Sequence, residues 1–87
     1  MPEISRFFGI IIAMYVKDHF PPHFHARYGD FFGLFSIETG DLIEGNMPRR
    51  AIRLIQDWTE LHRVELLDNW FQSQKDNPEF HKIAPLE

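Results

Sequence analysis

The first half of the chain alternates between apolar and polar positions in short segments that turn residues separate. Such alternation, with an excess of β-branched and aromatic side chains, is typical of half-buried β-strands. The segments with this pattern are Ile4–Phe8, Ile10–Val16, His23–Tyr28, Phe31–Glu38 and a short return strand, Asp41–Glu44. The sequence IETGDLI predicts a hairpin with Thr39 and Gly40 at its tip. We expect three or four of these segments to pair into a small antiparallel sheet.

Helical spacing replaces the alternation after Asn46. Pro48 suits the first position of a helix, because proline lacks the backbone N–H that would be unpaired there. One apolar stripe then follows the helical period and is formed by Ala51, Leu54, Ile55, Trp58 and Leu61. The next apolar set is out of phase with it and comprises Val64, Leu67, Trp70 and Phe71. This slip predicts a kink, or a junction of two helices, near His62.

These patterns predict an α+β fold, in which a small antiparallel sheet is packed by one kinked or two consecutive C-terminal helices. We expect a single domain over residues 1–87, with strands and hairpins in 1–45, helix in 47–75 and a tail in 76–87. Phe80 and Ile83 are expected to pin this tail. The helical phase of Trp58 and Trp70 favours a place in the core over a role as a base-stacking platform.

Composition narrows the classes of function. The 87 residues include no cysteine, which excludes disulfides, thiolate nucleophiles and cysteine-based metal sites. The net charge of −4 argues against general attraction to nucleic acids, although it leaves room for a local basic patch. The apolar run Phe7–Val16 is too short to cross a membrane and lacks the cleavage site of a signal peptide. We therefore expect a cytoplasmic protein that binds no membrane.

Three of the five histidines lie within HFPPHFHARYG, residues 19–29. Successive side chains of a strand point to opposite faces. The side chains expected in the core are Phe24, Ala26 and Tyr28. Those expected on the opposite, polar face are His23, His25 and Arg27. The two prolines stiffen the approach to this strand, and a trans bond between Phe20 and Pro21 is favoured over a cis one.

The histidines form a candidate metal site. Neutral imidazole is a common ligand, so His19, His23 and His25 can together hold zinc or another transition metal. Asp18, Asp30 or water would complete the coordination.

The same polar face also suits phosphate chemistry. His23 and His25 can act as base and acid of a ribonuclease-like phosphodiesterase, with Arg27 or Arg50 stabilising the charge of the phosphate. Tyr15 and Lys17 extend this face if their segment pairs with the histidine strand. A purely structural interpretation, in which the histidines bond to their neighbours and the prolines shape a loop, stays open beside both.

Three arginines, Arg49, Arg50 and Arg53, crowd the start of the predicted helix. Cations are unfavourable at the positive end of a helix dipole, so their presence there indicates an anion site built with the free helix N–H groups. The alternative is a solvated surface, or an ion pair with Asp57 one turn on. In HRVE, residues 62–65, we expect Glu65 to bond back toward residue 62 in the manner of a capping box.

The chain resembles a bacterial family named domain of unknown function 4160. The matching segments are ISRFFGIIIAMY, HFPPHFHARYG, IETGDLIEG, MPRRAIRLIQDW and ELHRVELLDNW, of which PPHFHARYG is the most specific. The resemblance implies a cytoplasmic protein of prokaryotic origin and carries no reaction with it. Members of the family occur beside small partner genes of toxin–antitoxin type, so the resemblance also implies a toxin–antitoxin component with RNA or a small protein as its partner.

We therefore predict a small binding module for RNA or another phosphate-bearing partner. Its ligand-binding residues would be Tyr15, Lys17, Arg49, Arg50 and Arg53, beside the polar face of the histidine strand. No cofactor is expected under this hypothesis. A phosphodiesterase, a transition-metal-binding domain and a structural interaction domain are the alternatives, so the sequence leaves open whether the protein is an enzyme.

Overall fold

The computed structural model describes residues 3–87 and contains one five-stranded antiparallel sheet followed by two helices. The strands are β1 (Glu3–Phe7), β2 (Ile10–Ala13), β3 (His23–Tyr28), β4 (Phe31–Ser36) and β5 (Leu42–Asn46), and the helices are α1 (Arg49–Leu61) and α2 (Arg63–Ser73). The strands lie in the sheet in their order along the chain. The predicted α+β fold is confirmed, with five strands where three or four were expected, because every alternating segment forms a strand.

Gly45 allows β5 to approach β4 closely. Its φ is +96°, a conformation that side chains rarely adopt, and a Cβ at this position would collide with the carbonyl oxygen of Phe32. The pairing register of β4 with β5 shifts nearby, between Leu34 and Phe35. Only glycine therefore fits this position without displacing the edge strand.

The helices cover one face of the sheet and build the core with it. Trp58 and Trp70 are 0% and 1% exposed, which confirms their predicted place in the core. The Phe24 and Phe35 rings stack with centroids 5.7 Å apart, and Trp58 meets Phe24 edge-on. The opposite face of the sheet carries no helix among the described residues, and the alternation of β3 directs His25 and Arg27 to it.

The two helices meet at His62, as the loss of helical phase predicts. Nδ1 of His62 lies 2.7 Å from Oε1 of Glu65, so Glu65 bonds to the side chain of residue 62. A capping box would have used the backbone N–H instead. Pro48 is the N-cap of α1, one position before the place that the sequence favours.

The histidine segment differs from expectation at several points. Tyr28 is 37% exposed rather than buried, and it lines a cavity together with Ala51 of α1. His23 is 2% exposed rather than open on a polar face, since the Trp70 ring packs against it. The bond between Phe20 and Pro21 is cis, where the residues favour trans.

The tail returns to the sheet edge. The backbone N–H of Ile83 donates to the carbonyl of Ile4 at 2.8 Å, and Ile83 is 4% exposed. Phe80 is partly buried against the core, so the prediction that these two residues pin the tail is confirmed. Neither helix in residues 3–87 has the length and apolar character needed to cross a membrane.

Candidate metal centre

The candidate site lies where β3 begins, beside the loop that joins β2 to β3. His23 and His25 occupy the first and third positions of β3, and Asp18 lies in the loop. The register pairs His25 with Ala13 of β2 and with Leu34 of β4, which places it in the middle of the sheet. Because the two histidines are two residues apart on one strand, their imidazoles emerge on the same side.

Asp18 joins the two imidazoles. Its Oδ2 atom lies 3.0 Å from Nε2 of His23 and 3.1 Å from Nε2 of His25. One ligand atom from each of the three residues lies within 4.8 Å of the others. The side chains of Asp18 and His25 are 18% and 16% exposed, and that of His23 is 2% exposed. Three side chains able to bind a metal therefore converge in a largely buried place.

The carbonyl of Pro21 determines which nitrogen of a neutral His23 ring carries the proton. Nδ1 of His23 lies 2.7 Å from that oxygen, which can only accept, so Nδ1 donates. A neutral ring then turns the lone pair of Nε2 toward the carboxylate of Asp18, and two acceptors face each other at 3.0 Å. Either a proton on Nε2 or a cation shared by the two atoms relieves this repulsion.

His25 has one ring nitrogen without a partner. Its Nε2 faces Asp18, whereas its Nδ1 is buried and makes no hydrogen bond within residues 3–87. The Tyr15 ring meets the imidazole edge-on, with centroids 4.5 Å apart, and the Phe32 ring lies 5.6 Å away. A hydrogen bond therefore holds the His25 ring only at Nε2, and the contacts with the Tyr15 and Phe32 rings provide the rest of its orientation.

The C-terminal end of α2 positions the loop that carries Asp18. The backbone N–H of Lys17 donates to the carbonyl of Ser73 at 2.7 Å, and Nε2 of Gln74 donates to the carbonyl of Asp18 at 3.2 Å. These bonds tie the loop to α2 from both sides of the ligand residue. The carboxylate is therefore held in place by a helix that is far away in sequence.

Trp70 covers the buried side of the site. Its ring lies 5.4 Å from that of His23 and 5.7 Å from that of Phe20. Because Trp70 is also part of the core, the orientation of the His23 ring depends on the packing of α2 against the sheet.

The pKa of the Asp18 carboxyl lies below its usual value. Burial acts against this by disfavouring the charged form, but the hydrogen bond from His25 and the one from the backbone N–H of His19 lower the pKa. The nearby charge of the imidazoles lowers it further. Asp18 is therefore a carboxylate at neutral pH, which is the form that binds a cation.

A cavity of about 120 Å³ opens beside His25 on the face of the sheet that the helices leave free. It is lined chiefly by Ile11, Ala13, Tyr15, His25, Arg27 and Phe32. Arg27 is exposed and pairs in register with Ile11 and Phe32, one row along from His25. Of the predicted site residues, the structure thus brings Tyr15, His25 and Arg27 to one cavity.

His19 and Lys17 lie to the outside of this arrangement. The His19 side chain is 79% exposed, and its Nδ1 faces the outer carboxylate oxygen of Asp18, Oδ1, at 3.1 Å. The group that converges is therefore Asp18, His23 and His25, in place of the predicted set with His19. The ammonium group of Lys17 forms an ion pair with Asp76 at 3.1 Å and does not line the cavity.

The three arginines of α1 lie away from the histidines. Arg49, Arg50 and Arg53 are exposed, and none forms an ion pair within residues 3–87, so the pair with Asp57 that was one alternative is not formed there. Arg50 lines a different cavity beside Tyr28. Tyr28 and His23 are at opposite ends of β3, about 17 Å apart along the strand. The three arginines at the start of α1 and the histidines of β3 therefore do not form one site.

The sequence alone did not identify Asp18 as the residue that joins the two histidines. The pattern offers it only as one of several further ligands, because a carboxylate five residues before a histidine has no fixed position in a loop. The available signal was the pair of prolines, which restricts how the chain returns from Asp18 to His23.

A sequence model of the family described as Domain of unknown function (DUF4160) matches residues 9–71, more than half of the chain. The match includes Asp18, His23, His25 and nearly all of both helices. It confirms the resemblance found in the sequence. No curated protein and no solved structure matches the chain.

Proposed function

The chain belongs to the DUF4160 family, and we propose that it is a metal-binding domain that holds a divalent transition-metal ion on Asp18, His23 and His25. The observation that carries the proposal is the geometry around His23. Its Nδ1 is engaged by the Pro21 carbonyl at 2.7 Å, and its Nε2 is aimed at the Asp18 carboxylate. A ligating histidine characteristically donates its other ring nitrogen to a backbone carbonyl or carboxylate in this way.

The spacing of the ligand atoms supports the same conclusion. Two ligands at about 2.1 Å from a tetrahedral ion stand about 3.4 Å apart. The distances from Asp18 Oδ2 to the two Nε2 atoms are 3.0 and 3.1 Å, so each of these two pairs would need to separate by only a few tenths of an ångström to share the ion. The ion would also remove the repulsion between the Nε2 lone pair of His23 and the carboxylate.

The ligand types indicate which metals fit. Two imidazoles and one carboxylate suit zinc, iron(II), cobalt(II) or nickel(II), whereas calcium and magnesium prefer oxygen ligands alone. Three protein ligands leave at least one coordination position for a further ligand. A zinc site with such an open position can polarise a bound oxygen atom or lower the pKa of bound water.

This proposal changes the role of the histidines in the phosphodiesterase hypothesis. An imidazole whose Nε2 lone pair binds a metal cannot also accept a proton at that atom. Any reaction at this site would therefore proceed through the ion and its open position, with His23 and His25 as ligands. RNA binding and the toxin–antitoxin role stay predictions.

Metal analysis of protein purified without a histidine tag tests the proposal directly. We expect close to one zinc, iron, cobalt or nickel ion per chain, or uptake of one added zinc or cobalt(II) ion in a calorimetric titration, with a higher melting temperature on binding. Cobalt(II) should give the visible absorption of a site with nitrogen and oxygen ligands.

Matched histidine variants separate this site from adventitious binding. His23→Gln and His25→Gln should each lower the metal affinity by about a hundredfold, whereas His81→Gln should leave it unchanged. His81 is exposed, and only its backbone atoms bond to Asn69. His19→Gln distinguishes the two ligand sets, since it should have little effect if Asp18 is the third ligand. A wild-type chain that takes up no ion, or site variants that bind as tightly as wild type, would overturn the proposal.

A further inference from the structure

A second cavity lies where the turn between β1 and β2, the end of β3 and the start of α1 meet. Its volume is about 250 Å³, and it is lined by Phe8, Ile10, Tyr28, Arg50, Ala51 and Leu54. We propose that this cavity binds a small monocarboxylate with an aromatic or other apolar body, and that Arg50 holds the carboxylate. The proposal is independent of the metal site, because the cavity and the three metal ligands share no residue.

Arg50 supplies the charge of this cavity. Its guanidinium makes no hydrogen bond or ion pair within residues 3–87, and α1 has no acidic residue in its first turn that would neutralise it. A guanidinium binds a carboxylate through two parallel hydrogen bonds. Neither Arg49 nor Arg53 lines the cavity, and the other lining residues are uncharged, so the lining carries one positive charge. A ligand with one negative charge balances it.

The other lining residues suit the body of such a ligand. Four of the six lining residues are apolar, namely Phe8, Ile10, Ala51 and Leu54. Tyr28 adds a phenol that makes no hydrogen bond within residues 3–87 and can donate one to a carboxylate oxygen. A volume of about 250 Å³ equals that of about eight water molecules at about 30 Å³ each, which suits a ligand of about nine heavy atoms, such as benzoate.

Phe8 lines the cavity in a backbone conformation that does not suit its side chain. Phe7 pairs with Ile10, so Phe8 and Gly9 form the two-residue turn of the hairpin, with φ values of +48° and +80°. Such a turn favours asparagine or aspartate before glycine, because bulky side chains are strained at positive φ. Phe8 is also 59% exposed, so burial in the core does not explain a phenylalanine here. A contact between its ring and the apolar body of a ligand does explain it.

Titration of metal-free protein with benzoate tests the proposal, since a metal ion would itself attract a carboxylate. We expect a Kd of about 1 mM or lower, which is an ordinary affinity for a ligand of this size. The NMR signals of the amides in residues 8–10 and 50–54 should shift on binding, and that of His25 should not.

Two related compounds identify the chemical group that is recognised. Benzamide has the same ring without the charge, so it should bind at least about tenfold more weakly than benzoate, because the charge-assisted bonds to Arg50 are lost. Phenyl phosphate carries more than one negative charge at pH 7, and it should bind no more tightly than benzoate, because one positive charge lines the cavity.

Matched variants identify the residues that bind. Arg50→Gln should weaken benzoate binding by about tenfold, whereas Arg53→Gln, which removes an exposed arginine one turn away, should change it by less than about twofold at physiological salt. Phe8→Asn should leave the fold at least as stable, because asparagine suits the turn, and should weaken benzoate binding by about fivefold. This combination distinguishes a contact with the ligand from a structural role of Phe8.

The contrary results are distinct from those that concern the metal. The proposal is overturned if benzoate does not bind at about 10 mM, if benzamide binds as tightly, if binding ignores Arg50→Gln, or if the shifted amides lie elsewhere. Tighter binding of phenyl phosphate would overturn the assignment to a monocarboxylate. None of these results bears on the metal site, which the zinc titrations test separately.

Discussion

The indole ring of Trp70 lies 5.4 Å from the imidazole ring of His23, centroid to centroid. This contact joins the helix layer to the first residue of β3. Trp58 is equally buried in the same layer, but its neighbours are Phe7 and Phe24. Variants of the two tryptophans can therefore distinguish a loss of core packing from a loss of the contact that orients His23.

We expect Trp70→Phe to lower the metal affinity by about tenfold, because a smaller ring restrains His23 less well. The variant should lower the free energy of unfolding by about 2 kcal/mol or less. The Trp70 Nε1 atom is buried without a hydrogen bond in residues 3–87, so the substitution removes packing but no hydrogen bond. Zinc titration and thermal melting of the variant measure the two effects.

Trp58→Phe is the matched control. It loses a hydrogen bond of 2.9 Å from Nε1 to the carbonyl of Ala84 as well as packing, so it should destabilise the fold more than Trp70→Phe does. Its zinc affinity should equal that of wild type. If both variants lose affinity in proportion to their stability, the Trp70 contact has no specific role at the site.

The acid stability of the metal-free protein should depend on Asp18. Its pKa is lower than usual in the folded state, so the ionised carboxyl stabilises the fold above the unfolded pKa of about 3.9. This contribution is lost as the pH falls through the lower, folded pKa. In the presence of a chelator, the difference in unfolding free energy between wild type and Asp18→Asn should therefore shrink as the pH falls below about 4.

Glu3→Gln serves as the comparison for this acid series. The pKa of Glu3 is also lowered, chiefly by its hydrogen bond with Arg6, but the pair is exposed to solvent and contributes little. Denaturant titrations between about pH 2 and pH 7 cover the range that matters. A profile for Asp18→Asn that parallels wild type at every pH would show that the carboxylate is not stabilised in the fold.

Gly45→Ala should destabilise the protein by about 3 kcal/mol. The substitution forces a side chain into a positive φ of +96° and against the carbonyl oxygen of Phe32. Gly29→Ala also meets a positive φ, +58°, but nothing lies within 4 Å of its Cβ, so it should cost about 1 kcal/mol. Equal losses in chemical denaturation would show that conformation alone, and not the close approach of β5, governs Gly45.

The protonation of His23 can be observed by nitrogen NMR of the zinc-loaded protein. We expect a protonated Nδ1 and a metal-bound Nε2, because the Pro21 carbonyl accepts from Nδ1. His81, which is exposed, should instead show no metal-bound nitrogen. A His23 ring with the proton on Nε2 in the loaded protein is incompatible with the proposed ligand.

The alternation of residues in β3 predicts a shared face for His23 and His25, and this follows from local geometry alone. The burial of His23 does not, because it depends on Trp70, which lies on α2 and reaches the strand only in the folded protein. The change of phase in the apolar positions likewise predicts the junction of the two helices at His62. This prediction succeeds because the 3.6-residue period is a local property of the chain.

The positions of Asp18 and Arg50 relative to the histidines depend on long-range packing. The loop from β2 to β3 is fixed by bonds to Ser73 and Gln74, so a local pattern cannot show that Asp18 points inward. Arg50 could be assigned to the histidine face only by assuming that α1 begins near it. In the structure α1 covers the other face, and the cation that shares a cavity with His25 is Arg27, on the same strand.

The two bonds that tie residues 17 and 18 to the end of α2 have a consequence for the order of folding. The hairpins of the sheet connect neighbours in sequence and can form early, whereas the contacts of this loop span more than fifty residues and close a long stretch of chain. The loop should therefore become ordered only when α2 docks. We expect the capacity to bind zinc to appear in the last kinetic phase of refolding, and bound zinc to slow unfolding by holding the final element in place.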